Sequence, residues 1–460
     1  MSKSNDLSRR KFMSAATLGA AGALGGTALL DAGAMAAQVA GVKRTDLLDL
    51  TIKEVKVYQV DLKGLRKLNT TETGEIISVV TNNGIEGNYT IGDRNRTEGW
   101  LKWAKSAMLG KNVIDLLPTM GSTSGMKSPP PRQGRRPANN AFSADAGGPG
   151  TYTAFGGPAI TGSGLAPRGG GSWPNWYTAA ADVVLWDILG KYVNRPIYQI
   201  LNGGVKGKDK MLAYASSNHL ATIEDYVPDV LAAKKAGYKS YKIHPGRGQH
   251  ASGPEIPAYH GHMEMIREIR KAVGPEFILS HDPVQAYTRQ EALIVGRLLD
   301  ELEYVFFEDP IRTTDKEGLI WLAGKLDIPL HVGEFIYSVA DFAEYIRDGA
   351  LHGLRLIADN VGGISGAMRL GLLADAHGLE CVPHNWGNGY DLALHFHLEL
   401  ALPNVYWFEM PWPHELVDRP YFAHKFRCDA DGYVPAPTES GLGYSLDRDA
   451  LDKMMTRIDR

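Results

Sequence analysis

The fold is decided by an apolar run that ends in two acids and a proline, Tyr304-Val305-Phe306-Phe307-Glu308-Asp309-Pro310. Asp282 stands 26 residues before Glu308, and Glu334 stands 26 residues after it. Each of these two acids also follows a short apolar run, and the interval between acids is long enough for one helix and one strand. Equal intervals of this length are typical of a repeated strand–helix unit.

The same alternation of short apolar runs and helix-length segments extends from residue 211 to residue 408. Eight strands with intervening helices predict a parallel (β/α) barrel, whose active site lies at the carboxyl ends of the strands. The strand candidates are Met211–Ser216, Ser240–His244, Phe277–His281, Tyr304–Phe307, Leu330–Val332, Gly353–Ile357, Glu380–Pro383 and Val405–Phe408.

The chain ahead of the barrel has the pattern of a small α+β domain. Alternating and β-branched residues predict a first strand within Leu47–Leu62, and Asn82-Asn83-Gly84 predicts a tight turn between two partner strands. Helical spacing of apolar residues returns at Tyr177–Tyr192. The other predicted elements are strands at Glu75–Thr81 and Gly87–Ile91 and a helix at Trp100–Leu109.

Residues 121–171 interrupt this domain. They are dense in glycine and proline, with Pro129-Pro130-Pro131 and Gly169-Gly170-Gly171, and this composition excludes a regular helix or a central strand. Two interpretations stay open. The segment is either a linker or disordered insertion, or an ordered lid over the active site, since long loops in compact enzymes are often functional.

The first 36 residues predict an export signal. Ser8-Arg9-Arg10-Lys11-Phe12-Met13 is a twin-arginine pattern, a weakly apolar run follows from Ala15 to Leu30, and Ala34-Met35-Ala36 has the small residues of a cleavage site. We therefore expect a periplasmic or secreted protein that leaves the cytoplasm by twin-arginine export. The alternatives are a membrane anchor or a disordered tail, but the apolar run is shorter than the roughly 20 residues that a stable span needs.

Composition excludes several classes of protein. The 460 residues are too many for one small core and leave room for a barrel of about 250 residues beside a second domain. A net charge of −3 gives no basic surface for nucleic acid. Two cysteines, Cys381 and Cys428, are too few for a disulfide framework or a thiolate metal site, although they would allow one disulfide.

The three equally spaced acids predict a metal site. Carboxylates that converge on one rim repel each other and are partly neutralised unless a cation joins them. Ligands that are all oxygen suit a hard ion, and Mg²⁺ keeps open positions for water and substrate. Any one of these acids alone would more often be a polar rim residue, so the prediction depends on all three together.

These motifs resemble those of the enolase superfamily, and within it the mandelate racemase-like branch. Ile52–Val60 is similar to the opening of the family's capping domain, and Ala181–Gly190 with Leu201-Asn202-Gly203-Gly204 is similar to its domain junction. The resemblance implies an α/β fold, a modified TIM (β/α) barrel with an N-terminal α+β capping domain that the C-terminal segment completes. The implied boundaries are 45–200 for the capping domain, 209–412 for the barrel and 413–460 for the C-terminal segment. A homo-oligomer is implied as well.

The resemblance also assigns roles to residues. It implies that Asp282, Glu308 and Glu334 bind Mg²⁺, that His384 is the seventh-strand catalytic histidine, and that Glu409 is the eighth-strand acid that contacts the substrate carboxylate.

Lys242-Ile243-His244 matches the family's second-strand Lys-x-Lys, with histidine in place of the second lysine. The strand period of two turns both side chains into the site. The alternative for His244 is a structural role at the start of a loop, because Pro245 follows it.

Two departures from the family pattern bear on the reaction. The family commonly pairs its seventh-strand histidine with an aspartate five residues before a Gly-Gly, but here that position is Ile357, and Asp359 is a candidate substitute. Without an acid partner, His384 would be less basic, which favours a proton donor or a hydrogen-bonding residue over a strong base. Val284, two residues after Asp282, argues against dehydratases that carry a catalytic histidine there.

The predicted reaction is removal of the proton beside a substrate carboxylate, followed by dehydration of an acid sugar. His244 or Lys242 would take the α-proton, and His384 would protonate the departing β-hydroxyl. A racemase or epimerase with two opposed bases, and a cycloisomerase, stay open as alternatives. A non-catalytic exported sugar-acid binding protein is open from a different class, but the lysine and histidines beside the predicted metal ligands favour an enzyme.

Overall fold

The computed structural model describes residues 49–63, 73–90, 94–120, 176–203, 207–245 and 258–460. The predicted export signal (1–36) and the predicted insertion (121–171) lie outside the described residues, so both stay predictions. No helix in these ranges is long and apolar enough to cross a membrane. Cys381 and Cys428 are both free thiols.

A four-stranded antiparallel sheet combines three strands from the N-terminal part of the chain with the last strand of the protein. Its order is β13 (Met455–Asp459), β1 (Ile52–Asp61), β2 (Thr73–Thr81) and β3 (Glu86–Thr90). Val55 and Val57 of β1 are buried while Glu54 and Lys56 are partly exposed, so in this stretch one face of the strand packs on the core. The turn predicted at Asn82-Asn83-Gly84 joins β2 to β3, with Gly84 at a φ of 86° that favours glycine.

Four helices accompany this sheet: α1 (Arg94–Met108), α2 (Val113–Met120), α3 (Trp176–Tyr192) and α4 (Ile197–Leu201). α1 begins earlier than the predicted start at Trp100, because its first turn is polar and lacks the apolar spacing on which that prediction depended. α3 is buried on almost every side, since it packs against β3 and also against the barrel helix Gly363–Ala376. The α3 helix therefore joins the small sheet to the barrel.

All eight predicted barrel strands are confirmed, and neighbouring strands are parallel. The first strand pairs with both the second and the eighth, so the sheet curls into a TIM-like α/β fold. No ladder joins the seventh strand to the eighth among the described residues, although the N–H of Cys381 donates to the carbonyl of Asn404 over 2.9 Å. The strands are β4 (Lys210–Ser217), β5 (Ser240–Ile243), β6 (Ile278–His281), β7 (Phe307–Glu308), β8 (Leu330–Val332), β9 (Gly353–Leu354), β10 (Glu380–Cys381) and β11 (Trp407–Trp412), with β12 (Tyr433–Pro435) antiparallel to β4.

Several strands differ in length from their apolar runs. The strand predicted at Tyr304–Phe307 corresponds to β7, which pairs only over Phe307–Glu308. The strand predicted at Gly353–Ile357 corresponds to β9, which pairs only over Gly353–Leu354. An apolar run reports which residues are buried, whereas pairing requires backbone groups of two chains to be aligned. The predicted bounds of these two strands are therefore wrong, while their positions in the barrel are right.

The helices that follow β6, β7 and β8 begin at capping side chains. Thr288, Asp315 and Ser338 accept hydrogen bonds from backbone N–H groups in the first turns of the three helices. Each such cap stabilises a helix by about 0.5–2 kcal/mol, and together they fix the ends of the loops that follow the three predicted ligand acids. The remaining helices are α5 (Tyr226–Lys235), α6 (Ala258–Val273), α7 (Arg289–Glu301), α8 (Lys316–Ala323), α9 (Val339–Arg347), α10 (Ala358–Val361), α11 (Gly363–Ala376), α12 (Gly389–Ala401) and α13 (Arg448–Met454).

The barrel interior changes from apolar to polar over a distance of two residues. Tyr214, Phe306, Val382 and Trp407 pack into one buried cluster. Because side chains on a strand alternate, the residues two positions further on share the same inward face. Those residues are polar in all four cases: Ser216, Glu308, His384 and Glu409. The apolar layer thus supports a polar layer at the carboxyl ends of the strands, where active sites of such barrels lie.

Candidate active site

Three acids from consecutive strands converge at the carboxyl end of the barrel. Asp282 follows β6, Glu308 ends β7, and Glu334 follows β8; each offers an oxygen, and these oxygens lie within 4.8 Å of one another. Asp282 and Glu308 are fully buried. The structure thus brings together the three equally spaced acids Asp282, Glu308 and Glu334, here called the rim triad. Their role as metal ligands stays a prediction.

Two acids of the rim triad have raised pKa values, and the third has a lowered one. Burial and the neighbouring acids Asp282, Asp309 and Glu308 raise the pKa of Glu334 well above its usual value. Burial also raises the pKa of Glu308, against the opposing effect of Arg355. Burial would raise the pKa of Asp282 too, but Lys242 and His244 beside it hold that pKa below its usual value.

His244 lies directly against the rim triad. Its Nδ1 is 2.6 Å from the carbonyl oxygen of Ser217, which can only accept, so this nitrogen carries a hydrogen. Its Nε2 is 2.7 Å from Oδ2 of Asp282. The ring of Trp386 stands nearly perpendicular to the imidazole, with ring centres 5.2 Å apart. These contacts fix the ring so that Nε2 faces the triad.

Lys242, on the same face of β5, contacts three carboxylates. Its Nζ is 2.7 Å from Glu308, 2.7 Å from Glu409 and 3.3 Å from Asp282. Burial and Arg355 lower the pKa of Lys242, but the three acids outweigh them and raise it, so the lysine is a fixed positive charge. Lys242 and His244, from the second barrel strand, thus both lie against the rim triad, as their spacing predicts.

His384 lies on the Glu334 side of the triad, with 3.4 Å between its Nε2 and Oε1 of Glu334. Burial lowers the pKa of His384 well below its usual value, which favours the neutral ring. Nδ1 of His384 has no hydrogen-bond partner in the described part of the chain. Asp359 accepts a hydrogen bond of 3.1 Å from Tyr89 of the small sheet, and within the described residues it is not a hydrogen-bond partner of His384 Nδ1.

Glu409 is fully buried, and both of its oxygens are engaged by protein groups. Oε1 is 2.7 Å from the hydroxyl of Ser216 and 2.7 Å from Lys242. Oε2 accepts from the N–H of Asn385 over 2.8 Å and pairs with Arg355. Burial opposes ionisation, but Arg355 and Lys242 hold the pKa of Glu409 well below its usual value. The predicted contact between Glu409 and a substrate carboxylate stays a prediction, while its contacts with two cations are observed.

Comparison with known proteins assigns the family. The Enolase C-terminal domain-like family matches residues 226–450. Arabinonate dehydratase from Saccharolobus solfataricus is 30% identical over 271 residues, which cover 58% of this chain and 69% of that protein. The chain belongs to the enolase superfamily, in its mandelate racemase-like branch.

Other members of the superfamily extend the comparison. D-galactarolactone cycloisomerase from Agrobacterium fabrum is 25% identical over 281 residues, covering 59% of this chain and 71% of that protein. D-glucarate dehydratase from Agrobacterium tumefaciens, solved in complex with magnesium, has a TM-score of 0.68 and 24% identity, covering 89% of this chain and 100% of that one. At that identity the solved structure shows that the fold is shared.

Arg355 is the main member of this enolase-superfamily site that sequence reasoning missed. It follows β9 and is fully buried. A signal for it was present, because Gly353, Arg355 and Ile357 share one face of a strand that is otherwise apolar, and a charged residue there must meet opposite charge. Ser216, which bridges Glu409 and the indole N–H of Trp386, was missed for a simpler reason: nothing distinguishes a single serine in the sequence.

The inner residues of this superfamily member fit a divalent cation. When fully ionised, four buried or part-buried carboxylates, those of the rim triad and Glu409, meet two permanent cations, Lys242 and Arg355. Asp309, another buried acid beside Glu334, adds to this excess of negative charge, so an added cation would meet carboxylates that the protein's own cations do not neutralise. Because the donors of the triad are all carboxylate oxygens, the set suits a hard ion such as Mg²⁺.

Proposed function

We propose that this protein is a Mg²⁺-dependent acid-sugar dehydratase, a hydro-lyase that removes the proton next to a substrate carboxylate. One observation carries the proposal: His244 Nε2 and Lys242 Nζ both contact Asp282 of the rim triad, at 2.7 Å and 3.3 Å. A base and a fixed positive charge therefore lie at the place where a carboxylate would meet a metal ion. The similarity to arabinonate dehydratase supports the same reaction class.

The proposed roles follow from these contacts. Bound to the triad, Mg²⁺ would supply positive charge to the substrate carboxylate, where the second negative charge of the enediolate develops. Because Nδ1 of His244 donates to the Ser217 carbonyl, Nε2 is the nitrogen that can accept the α-proton. Its contact with Asp282 turns Nε2 toward the carboxylates that would hold the ion, and so toward the place where the substrate carboxylate would bind. Lys242 remains charged and faces the same site.

His384 is placed to act on the leaving group. Its neutral ring, favoured by burial, is a weaker base than a histidine paired with a carboxylate, and it faces the triad from the Glu334 side. In the dehydration, His244 takes the proton from the α-carbon and hydroxide leaves the β-carbon. His384 protonates that hydroxide as an imidazolium, a form that the negative charge of the bound substrate and of the developing enediolate would favour against burial. The enol product becomes a 2-keto-3-deoxy acid, and afterwards His244 releases a proton to solvent and His384 takes one up. Water is the other product, so atoms and charge balance.

Cycloisomerisation is the second candidate, because a cycloisomerase is among the relatives and shares the proton-abstraction step. Epimerisation is less well supported, because it needs a second strong base opposite His244 and His384 has no carboxylate partner on Nδ1 in the described residues.

The test is a panel of sugar acids incubated with the protein and Mg²⁺. Formation of 2-keto-3-deoxy acids, followed by the semicarbazide assay, would support dehydration. A lactone or a changed configuration without loss of water would indicate cycloisomerisation or epimerisation instead. Tight binding of a sugar acid without any product would favour the non-catalytic binding protein.

We further propose that the protein is exported by the twin-arginine route and works in the periplasm or outside the cell as a homo-oligomer. The pattern Ser8-Arg9-Arg10-Lys11-Phe12-Met13 supports export. Fractionation of cells that express the native chain or the Arg9→Lys/Arg10→Lys variant tests it: the native protein should be found outside the cytoplasm and the variant inside. Light scattering of the purified protein tests the oligomer.

A further inference from the structure

Arg355 is linked to four other strands of the barrel. Its Nη1 donates to the hydroxyl of Tyr214 on β4 over 3.0 Å and to the carbonyl of Val382 beside β10 over 2.8 Å. Its Nε lies 2.8 Å from Oε1 of Glu308 on β7, and its Nη2 pairs with Oε2 of Glu409 on β11. A planar guanidinium with contacts on several sides has one orientation, which a flexible ammonium group would not have.

These contacts are part of a closed ring of alternating charges. Arg355 contacts Glu308, and Oε2 of Glu308 is 2.7 Å from Lys242. Lys242 is 2.7 Å from Oε1 of Glu409, whose other oxygen returns to Arg355. All four side chains are fully buried. This charge ring contains one acid of the rim triad, Glu308, and one cation of the proposed active site, Lys242.

The ring restricts Glu308 from two sides. One oxygen faces Arg355 and the other faces Lys242, so the carboxylate cannot rotate without losing an ion pair. Lys242 is restricted in the same way by Glu308 and Glu409. In a buried site such contacts cost a great deal to break, because a charge left without its partner is not resolvated.

We propose that Arg355 is a positioning residue that closes this ring and thereby fixes Glu308 for the metal ion and Lys242 for the substrate. The proposal rests on the proposed function, since it assigns a purpose to Glu308 as a ligand. Arg355 itself acts through Glu308 and Glu409. Outer groups that orient a metal ligand typically change metal affinity by about 10–100-fold when they are lost.

A purely electrostatic role for Arg355 predicts the opposite sign. A positive charge near the triad repels a cation, so removing it would tighten Mg²⁺ binding if charge alone mattered. Replacing it with lysine would then leave Mg²⁺ binding unchanged. Positioning predicts weaker binding in both cases, because lysine lacks the fork that reaches Glu308 and Glu409 together.

The experiment measures Mg²⁺ dissociation constants of the full-length protein by calorimetry without substrate. Arg355→Lys and Arg355→Met should both weaken Mg²⁺ binding, by roughly 10–100-fold. Arg419→Met is the matched control, because Arg419 is a buried arginine whose Nη1 donates to the carbonyls of Leu416 and Asp418, away from the triad. It should leave the Mg²⁺ affinity unchanged. Unchanged binding in Arg355→Lys together with tighter binding in Arg355→Met would overturn the proposal.

A double variant separates positioning from folding. Arg355→Met/Glu409→Gln removes one cation and one anion together, so it avoids the buried unpaired acid that the single variant creates. Circular dichroism should show a folded protein, and Mg²⁺ binding should still be weak because Glu308 has lost its guanidinium partner. Restored wild-type affinity in the double variant would overturn the proposal. If the wild-type protein itself bound no Mg²⁺, the proposed function would fail as well, whereas wild-type binding with unaffected Arg355 variants would refute this inference alone.

Discussion

Glu334 and Glu409 are two glutamates of the candidate active site whose neighbours carry opposite charges. Glu334, in the rim triad, has Asp282, Asp309 and Glu308 as its main charged neighbours, and its pKa is raised. Glu409, in the charge ring, has Arg355 and Lys242 as its main charged neighbours, and its pKa is lowered. The protein thus neutralises one acid with its own cations and leaves the other short of positive charge. The rim triad therefore offers negative charge to the divalent ion that we propose binds there, whereas the charge ring has its own cations.

The largest effect should come from the rim. Asp282→Asn or Glu334→Gln removes a proposed ligand, and we expect Mg²⁺ affinity to fall by more than the roughly 100-fold that loss of an outer group costs. Activity on the best sugar acid should become undetectable. Calorimetry and a product assay would measure both, with Glu268→Gln on the exposed face of α6 as the control. Wild-type Mg²⁺ affinity in both rim variants would show that the ion does not bind there.

Loss of an acid from the charge ring should lower the stability of the folded protein. Glu409→Gln leaves Lys242 and Arg355 with fewer acids inside a buried site, and we expect the free energy of unfolding to fall by about 3 kcal/mol. Glu334→Gln should not lower the stability of the metal-free protein, because it removes an acid that its neighbours repel. Urea unfolding of both variants in EDTA measures the contrast. Equal destabilisation by the two substitutions would contradict the distinction between rim and ring.

The pH dependence of metal binding tests the same difference between the rim triad and the charge ring. The raised pKa values of Glu308 and Glu334 mean that the folded metal-free protein holds these protons more tightly than the unfolded chain. Their stabilising contribution is therefore present at low pH and is lost as pH rises through the folded pKa values. Mg²⁺ must displace these protons, so its binding should strengthen with pH.

Melting temperatures with Mg²⁺ and with EDTA, compared at about pH 5.5 and about pH 8, would check this expectation. The melting temperature with Mg²⁺ should exceed that with EDTA by a larger amount at the higher pH. A gain in melting temperature from Mg²⁺ that is constant across this range would argue against the rim triad as the binding site.

The smallest effect should come from Trp386, which touches the base without belonging to either group of charges. Its indole N–H donates to Ser216 over 3.0 Å, and its ring stands against the imidazole of His244. Trp386→Phe keeps an aromatic ring and loses one hydrogen bond of about 0.5–1.5 kcal/mol, so kcat should fall by roughly 2–10-fold. Mg²⁺ affinity should not change. Weaker Mg²⁺ binding in this variant would place Trp386 in the metal site instead of beside the base.

The rim could be predicted from the sequence because each of its acids ends an apolar run at a constant interval. Strand period and barrel topology then suffice to bring Asp282, Glu308 and Glu334 to one end of the sheet. The same reasoning placed Lys242 and His244 side by side. These inferences need only local pattern and the rule that parallel strands end together.

The charge ring could not be predicted in this way. Arg355 contacts Glu308 and Glu409, which are far from it in sequence. The choice of partner depends on how β7, β9 and β11 face each other across the barrel. Glu409 was placed at the rim by its position after an apolar run, but the run does not reveal that two cations occupy its oxygens. The partner of Asp359 was equally hidden, because Tyr89 comes from the small sheet.

The most direct test of the proposed mechanism is deuterium exchange at the α-carbon of an active sugar acid, followed by NMR in D₂O with wild-type protein, His244→Asn and His384→Asn. If His244 is the base, Mg²⁺-loaded wild-type protein should catalyse removal of the α-proton, EDTA should abolish it, and His244→Asn should abolish it while Mg²⁺ still binds. His384→Asn should retain α-proton exchange while loss of water slows. Full exchange in His244→Asn, or exchange that persists in EDTA, would contradict the central claim that His244 abstracts this proton beside a divalent ion.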